Sequence, residues 1–202
     1  MTYMTEPSLF ETVDTLILTA VNTCHSHELD IIMWWLSDRW IWVPFYIFLA
    51  GCVVRRFGAP KGIAIILATL VLIAFTDHIC ASIIRPAVER LRPSNPDNSI
   101  SATLHLVNDY RGGRYGFPSC HAANTFALAV FISLFFRNRY VWAAMTGWSL
   151  LVSYSRVYLG VHYPGDILGG VLIGASFASI WYLPWRYVVM RQCQFSTQRA
   201  HD

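Results

Sequence analysis

Two arginines at the end of an apolar stretch are suited to hold a phosphate group. Arg85 and Arg92 frame the segment 85–93, which closes on Pro93. A guanidinium binds phosphate oxygens through paired hydrogen bonds and stays charged at any physiological pH. Taken alone, this segment is better explained by arginines that anchor a helix end among lipid headgroups.

A second block of sequence opens the next apolar stretch with Pro118-Ser119-Cys120-His121. The N-terminus of a helix attracts anions, because its N–H groups are unpaired and the helix dipole is positive there. Ser119 is suited both to cap the helix and to donate to a phosphate oxygen. His121, in the first turn, is within reach of the same anion. A helix cap followed by an incidental interfacial histidine explains this block equally well.

The third block, residues 155–166, combines a further guanidinium with a candidate nucleophile. Arg156 supplies the guanidinium, and His162 and Asp166 follow it. A carboxylate bound to one imidazole nitrogen fixes the tautomer and makes the other nitrogen more nucleophilic. Asp166 is also placed to cap the helix that follows, and the two roles are compatible.

Together the three blocks resemble the type 2 phosphatidic acid phosphatase superfamily, which also includes vanadium-dependent haloperoxidases. The family pattern is Lys-x6-Arg-Pro, then Pro-Ser-Gly-His, then Ser-Arg-x5-His-x3-Asp. This chain has Arg85-x6-Arg92-Pro93, Pro118-Ser119-Cys120-His121 and Ser155-Arg156-x5-His162-x3-Asp166. Arg85 in place of lysine keeps the charge. Cys120 in place of glycine keeps the backbone N–H but adds a side chain near the phosphate.

The resemblance implies a role for each of these residues. His162 attacks phosphorus and forms a phosphohistidine, Asp166 orients His162, and His121 protonates the leaving oxygen. The phosphoryl oxygens are held by Arg85, Arg92, Ser119, Cys120 and Arg156. We expect neither a metal nor another cofactor, since a catalytic zinc usually takes three protein ligands and arginines repel a cation.

The composition places these blocks in a membrane protein. Of the 202 residues, 55% are hydrophobic and 13% charged, against about 45–50% and about 25% in soluble proteins. Apolar segments lie at 40–54, 62–84, 119–136, 140–155 and 167–189. In lipid the backbone must satisfy its own hydrogen bonds, which makes these segments helices. We therefore predict an all-α, polytopic membrane helix bundle of about five transmembrane helices.

The N-terminal segment 1–38 is expected to lie at the membrane interface, ahead of a core at 39–190 in a single domain of residues 1–202. Residues 9–36 are typical of one or two amphipathic helices, with Leu9, Val13, Ile17 and Val21 on one face. The alternative is one long tilted span over 29–54. Asp38 and Arg39 in its middle disfavour that alternative.

The basic loops predict the orientation. Arginines and lysine at 55–61, 137–139 and beyond 185 fall on one side of a five-span bundle, and that side should be cytoplasmic. Residues 191–202 then form a cytoplasmic tail. The three blocks face the periplasm or cell exterior at the cytoplasmic (inner) membrane. We find no removable signal peptide and no basic run typical of nucleic-acid binding.

These features predict an integral membrane lipid phosphatase that cleaves a phosphomonoester or diphosphate. Undecaprenyl (polyprenyl) diphosphate is the first expectation for the substrate. Lipid A, at its 1- or 4′-phosphate, is second, and phosphatidylglycerophosphate or phosphatidate third. A non-enzymatic lipid-phosphate binding or transport protein is the alternative of another class. The set of His121, His162 and Asp166 argues against it.

Three further features of the sequence have no assigned role in the chemistry or concern the packing of helices. Asp77 and His78 lie within an apolar segment, where an acid is either functional or, as we favour, a polar contact between helices. The loop 94–117 either contacts a headgroup or is simply solvated. A row of small residues on the last segment predicts close helix packing; its members are Gly170, Gly174 and Ala178.

Overall fold

The computed structural model describes residues 8–198, with the backbone alone for 188–198. Over this range the chain is all-helical, which confirms the predicted fold class. The α-helices, in chain order, are α1 Leu9–Thr23, α2 His27–Ser37, α3 Val43–Phe57, α4 Ala59–His78, α5 Arg85–Val88, α6 Cys120–Phe136, α7 Arg139–Tyr158 and α8 Pro164–Gln198. A π-helical turn, Ile79–Ile84, joins α4 to α5. The loop from α5 to α6 contains the short 3₁₀ helices Ser99–Thr103 and Val107–Asp109.

The five apolar segments correspond to α3, the stretch from α4 to α5, α6, α7 and α8, with shifted ends. The first begins at Val43 rather than at 40, because Pro44 starts the helix. It ends at Gly58, whose φ of 79° takes the backbone out of the helix. The interruption at 38–42 shows that 29–54 is not one helix.

Two helical stretches of the described chain are long and apolar enough to cross a bilayer, Ala59–Val88 and Pro164–Tyr187. The shorter α6 is also apolar. Large apolar side chains are exposed on α3, α4, α7 and α8, among them Phe48, Leu70, Leu150 and Leu172. An outer surface of this kind is expected of a protein surrounded by lipid. The count of five spans stays a prediction.

Helix α6 occupies the centre of the bundle and packs against α4, α7 and α8. Its side chains are buried around most of its circumference. Helix α8 approaches closely because Gly170 and Gly174 present no Cβ to the α6 backbone at Ser119 and Ala123. The close packing predicted from the row of small residues is confirmed. It fixes the start of α8 against the start of α6.

Helix α1 is attached to the bundle by a face other than its apolar face. The predicted apolar face, including Leu9 and Ile17, is exposed. The side chains that face the protein are Asp14, Leu18 and Asn22, all buried. Helix α1 contacts α7 and α8, and α2 contacts α7. A polar stripe therefore attaches α1 to the bundle, and its apolar face is free to meet the membrane interface.

Replacing Gly174 by alanine is expected to destabilise the protein, because the new Cβ would collide with the backbone of Ala123. Overpacking of this kind costs about 1–3 kcal/mol. Gly147 on α7 is the matched control, since a Cβ there meets nothing within 4 Å. Thermal unfolding in detergent should show a lower Tm for Gly174→Ala and an unchanged or higher Tm for Gly147→Ala. Equal Tm values for the two variants would contradict the packing described here.

Candidate active site

The three sequence blocks meet at one end of the bundle. Arg85 Nε donates to the carbonyl of Pro118 at 3.2 Å, which joins the first block to the second. The backbone N–H of Ser119 donates to the carbonyl of Asp166 at 2.9 Å, which joins the second block to the third. An Arg92 guanidinium nitrogen lies 3.5 Å from the carbonyl oxygen of Val161. Residues more than 70 positions apart in sequence thus form one cluster.

The N-terminus of α6 has the form expected of an anion site. The side chain of Ser119 is the helix cap and accepts from the N–H of Ala122 at 3.5 Å. The N–H groups of Cys120 and His121 precede the first intrahelical hydrogen bond. The Cys120 side chain is buried against Cys80 of the π-helical turn. Cysteine in place of the family's glycine is thereby accommodated by packing.

His162 and Asp166 form a fully buried pair, each with no exposed surface. His162 Nδ1 and Asp166 Oδ2 are 3.3 Å apart, and the N–H of Tyr163 donates to the same carboxylate oxygen at 3.0 Å. Gly116 is needed beside this oxygen, because a Cβ there would lie 2.8 Å from it. His162 Nε2 has no hydrogen-bond partner within residues 8–198. The geometry leaves that nitrogen free to act as a nucleophile.

The three predicted phosphate-binding arginines lack carboxylate partners. Arg92 and Arg156 are buried, and neither they nor Arg85 form an ion pair in the described part of the chain. Arg92 donates instead to the carbonyl of Tyr115 at 3.1 Å. Buried positive charges without a counter-ion are costly. An anion bound among them would remove that cost.

Burial and the charges of these arginines together determine the protonation of His162. Burial, followed by repulsion from Arg85 and Arg156, lowers the pKa of Arg92 to about 10, so it stays charged at neutral pH. Burial and then the positive charges of Arg92, Arg156 and Arg85 hold the pKa of His162 well below its usual range. A lowered pKa means that the imidazole is neutral at neutral pH. That is the form a nucleophile requires.

Arg90 has a function that the sequence did not indicate. It donates to Asp166 Oδ1 at 2.8 Å and to Asp14 Oδ2 at 2.5 Å, and it lies 4.3 Å from the centre of the Tyr163 ring. Asp14 Oδ1 also accepts from the N–H of Gly165 at 2.7 Å. Arg90 therefore holds the Asp166 carboxylate in place, and α1 takes part in the site. The sequence feature that could have pointed to Asp14 is its position four residues before Leu18 and eight before Asn22, which places the three on one face of α1.

The loop between α5 and α6 covers the site. Tyr110 receives a hydrogen bond from Arg156 at 3.4 Å, and Ser37 at the end of α2 also accepts from Arg156. The loop is fixed by Arg111, which donates to the Ser94 carbonyl and the Ser101 hydroxyl at 2.8 Å each. The loop is thus a folded part of the site rather than a solvated linker.

A cavity of about 740 Å³ opens from the cluster towards the middle of the bundle. Its polar end is lined by Arg85, Arg92, Arg156, His121 and Tyr110. Most of its remaining wall is apolar and comes from α3, α4, α6 and α7. His162 is buried beside the polar end rather than on the cavity wall. A cavity with a positively charged end and an otherwise apolar wall suits an amphiphile that carries a phosphate group.

Replacing Arg90 by lysine is expected to lower kcat about 10- to 100-fold with KM within about twofold. Lysine keeps the charge but does not bridge two carboxylates. Arg114→Lys is the matched control, since the Arg114 side chain is 64% exposed. Steady-state kinetics on a lipid phosphate would measure both variants. A change confined to KM, or an equal loss in Arg114→Lys, would contradict the positioning described for Arg90.

Several known proteins resemble this chain in sequence. The sequence model of the PAP2 superfamily matches residues 63–189. A lipid A 4′-phosphatase of Bacteroides thetaiotaomicron is 41% identical over 170 residues, which cover 84% of this chain and 76% of the relative. A lipid A 4′-phosphatase of Porphyromonas gingivalis is 33% identical over 186 residues, which cover 91% of this chain and 77% of the relative.

Among solved structures, a transmembrane PAP2-type phosphatidylglycerolphosphate phosphatase from Bacillus subtilis has a similar fold. The TM-score is 0.65 at 19% sequence identity, over 87% of this chain and 86% of the other. At that identity the similarity concerns the fold alone.

Proposed function

Because the chain belongs to the PAP2 superfamily and is a membrane hydrolase of lipid phosphoesters, we propose that it removes the 4′-phosphate of lipid A. The observation that carries this proposal is the 41% identity to a lipid A 4′-phosphatase over most of both chains. The relative from Porphyromonas gingivalis has the same name. This support favours lipid A over undecaprenyl diphosphate, which the sequence alone placed first.

The first chemical step is a transfer of the phosphoryl group to His162. The lone pair of His162 Nε2 attacks phosphorus while Asp166 accepts the Nδ1 proton in a hydrogen bond. The bond from phosphorus to the sugar oxygen breaks, and His121, which takes up a proton when the negatively charged phosphate binds beside it, gives that proton to the sugar oxygen. Arg85, Arg92 and Arg156 stabilise the charge on the three equatorial oxygens, as phosphoryl transfer chiefly requires. The products of this step are a sugar hydroxyl and a phosphohistidine.

The second step returns the enzyme to its starting state. His121, now neutral, accepts a proton from a water molecule as the water oxygen attacks phosphorus. The bond from phosphorus to Nε2 breaks, and inorganic phosphate leaves. The guanidiniums supply the positive charge in both steps, and no residue is assigned to a metal.

We also propose that the site faces away from the cytoplasm. The basic loop around Arg55, Arg56 and Lys61 joins α3 to α4, at the opposite end of α4 from Arg85. Loops rich in arginine and lysine remain on the cytoplasmic side. The chemistry would then take place at the outer face of the inner membrane.

Replacing His162 by alanine is expected to lower phosphate release from lipid A about 10³-fold or more, since the nucleophile is lost. The measurement uses purified protein in detergent with a chelator present. Undecaprenyl diphosphate and phosphatidylglycerophosphate are compared as substrates. His27→Ala, at an exposed position, is the matched control and should retain full activity.

Activity of the His162→Ala variant equal to that of the wild type would refute the mechanism. Loss of wild-type activity in the presence of chelator would show that the reaction requires a metal. Higher kcat/KM for undecaprenyl diphosphate than for lipid A would refute the proposed substrate.

A further inference from the structure

One polar pair in the cavity has no role in the chemistry described above. Asp77 on α4 and Asn124 on α6 both line the cavity. Asn124 Nδ2 donates to Asp77 Oδ1 at 2.9 Å. This is the polar contact between helices that the sequence led us to favour for Asp77. Its position on the cavity wall, however, also makes it available to a bound molecule.

The pair lies next to the phosphate site, about one helical turn deeper in the cavity. Asn124 is three residues beyond His121, about 4.5 Å further along α6 and on the same face. Asp77 lies four and eight residues before Ala81 and Arg85, and all three line the cavity. A phosphate held by the arginines would therefore direct its ester-linked alcohol, the group that His121 protonates, towards Asp77 and Asn124.

The hydrogen-bonding capacity left on this pair is mainly that of acceptors, beside the second Nδ2 hydrogen of Asn124. Asn124 Oδ1 is buried and has no hydrogen-bond partner in the described part of the chain. No hydrogen bond or ion pair is formed by Asp77 Oδ2 within residues 8–198. An acid inside a membrane protein is costly unless it faces a polar partner. The fitting partner carries hydroxyl or amide N–H donors and no negative charge at this point.

We propose that Asp77 and Asn124 form a subsite that selects the leaving group by its hydrogen-bond donors. The sugar of a glycolipid such as lipid A offers such donors as hydroxyl and acylamino N–H groups near the phosphate. The alcohol of a polyprenyl phosphate or of phosphatidate has no donor there. This inference rests on the proposed function and gives a structural reason for its substrate.

The test is a change in substrate preference. Purified full-length Asp77→Ala should lose about 10- to 100-fold in kcat/KM for lipid A, because a hydrogen bond to a charged group is lost. The same variant should act on phosphatidate within about twofold of the wild type. Asn124→Ala should shift the preference in the same direction. Asp97→Ala, at a position 64% exposed, is the matched control and should change neither substrate.

Asp77→Asn keeps the shape of the side chain and provides a second measurement where the alanine variant fails to fold. An equal loss for both substrates, or no loss for either, would overturn the subsite and leave only a contact between helices. A wild-type enzyme that hydrolyses phosphatidate but not lipid A would instead overturn the proposed function, and with it the sugar as the ligand of this pair.

Discussion

The carboxylate of Asp166 is the group on which the geometry of the site depends. Its two oxygens receive Arg90 and the N–H of Tyr163, and one of them faces His162. Its own backbone carbonyl accepts from Ser119. One residue therefore fixes the proposed nucleophile, the start of α8 and the start of α6. A buried carboxylate is tolerated here because it pairs with Arg90 and accepts a backbone N–H.

The arginines of the site fall into two groups with different consequences. Arg90 is paired with two carboxylates, so its positive charge is fully taken up within the protein. Arg85, Arg92 and Arg156 have no such partner within residues 8–198, and their charges add to the effect of burial in lowering the pKa of His162. The same charges that attract a phosphate thus keep the imidazole neutral. In the proposed mechanism, anion binding and nucleophile activation therefore follow from one arrangement.

The sequence predicted which residues come together at one end of the bundle, because they occur in short blocks with fixed spacing. The blocks around Arg85, His121 and His162 converge as the predicted helices require. The role of Arg90 could not be predicted, because its partner Asp14 lies 76 residues away on a helix whose apolar pattern indicates contact with the membrane interface and does not reveal which polar face meets the bundle. Helix α1 turns Asp14 and Asn22 inward because Arg90 and backbone polar groups of the bundle meet them there. Only the tertiary contact reveals such a preference.

Trapping the covalent intermediate is the most direct test of the proposed phosphohistidine mechanism. Lipid A labelled at its phosphate would be mixed with the protein and quenched within milliseconds, and the labelled peptide would be identified by mass spectrometry. Phosphate is expected on His162, with the acid-labile and base-stable behaviour of a phosphoramidate. Phosphate on Cys120 or on His121 instead, in a protein that turns over lipid A, would contradict it.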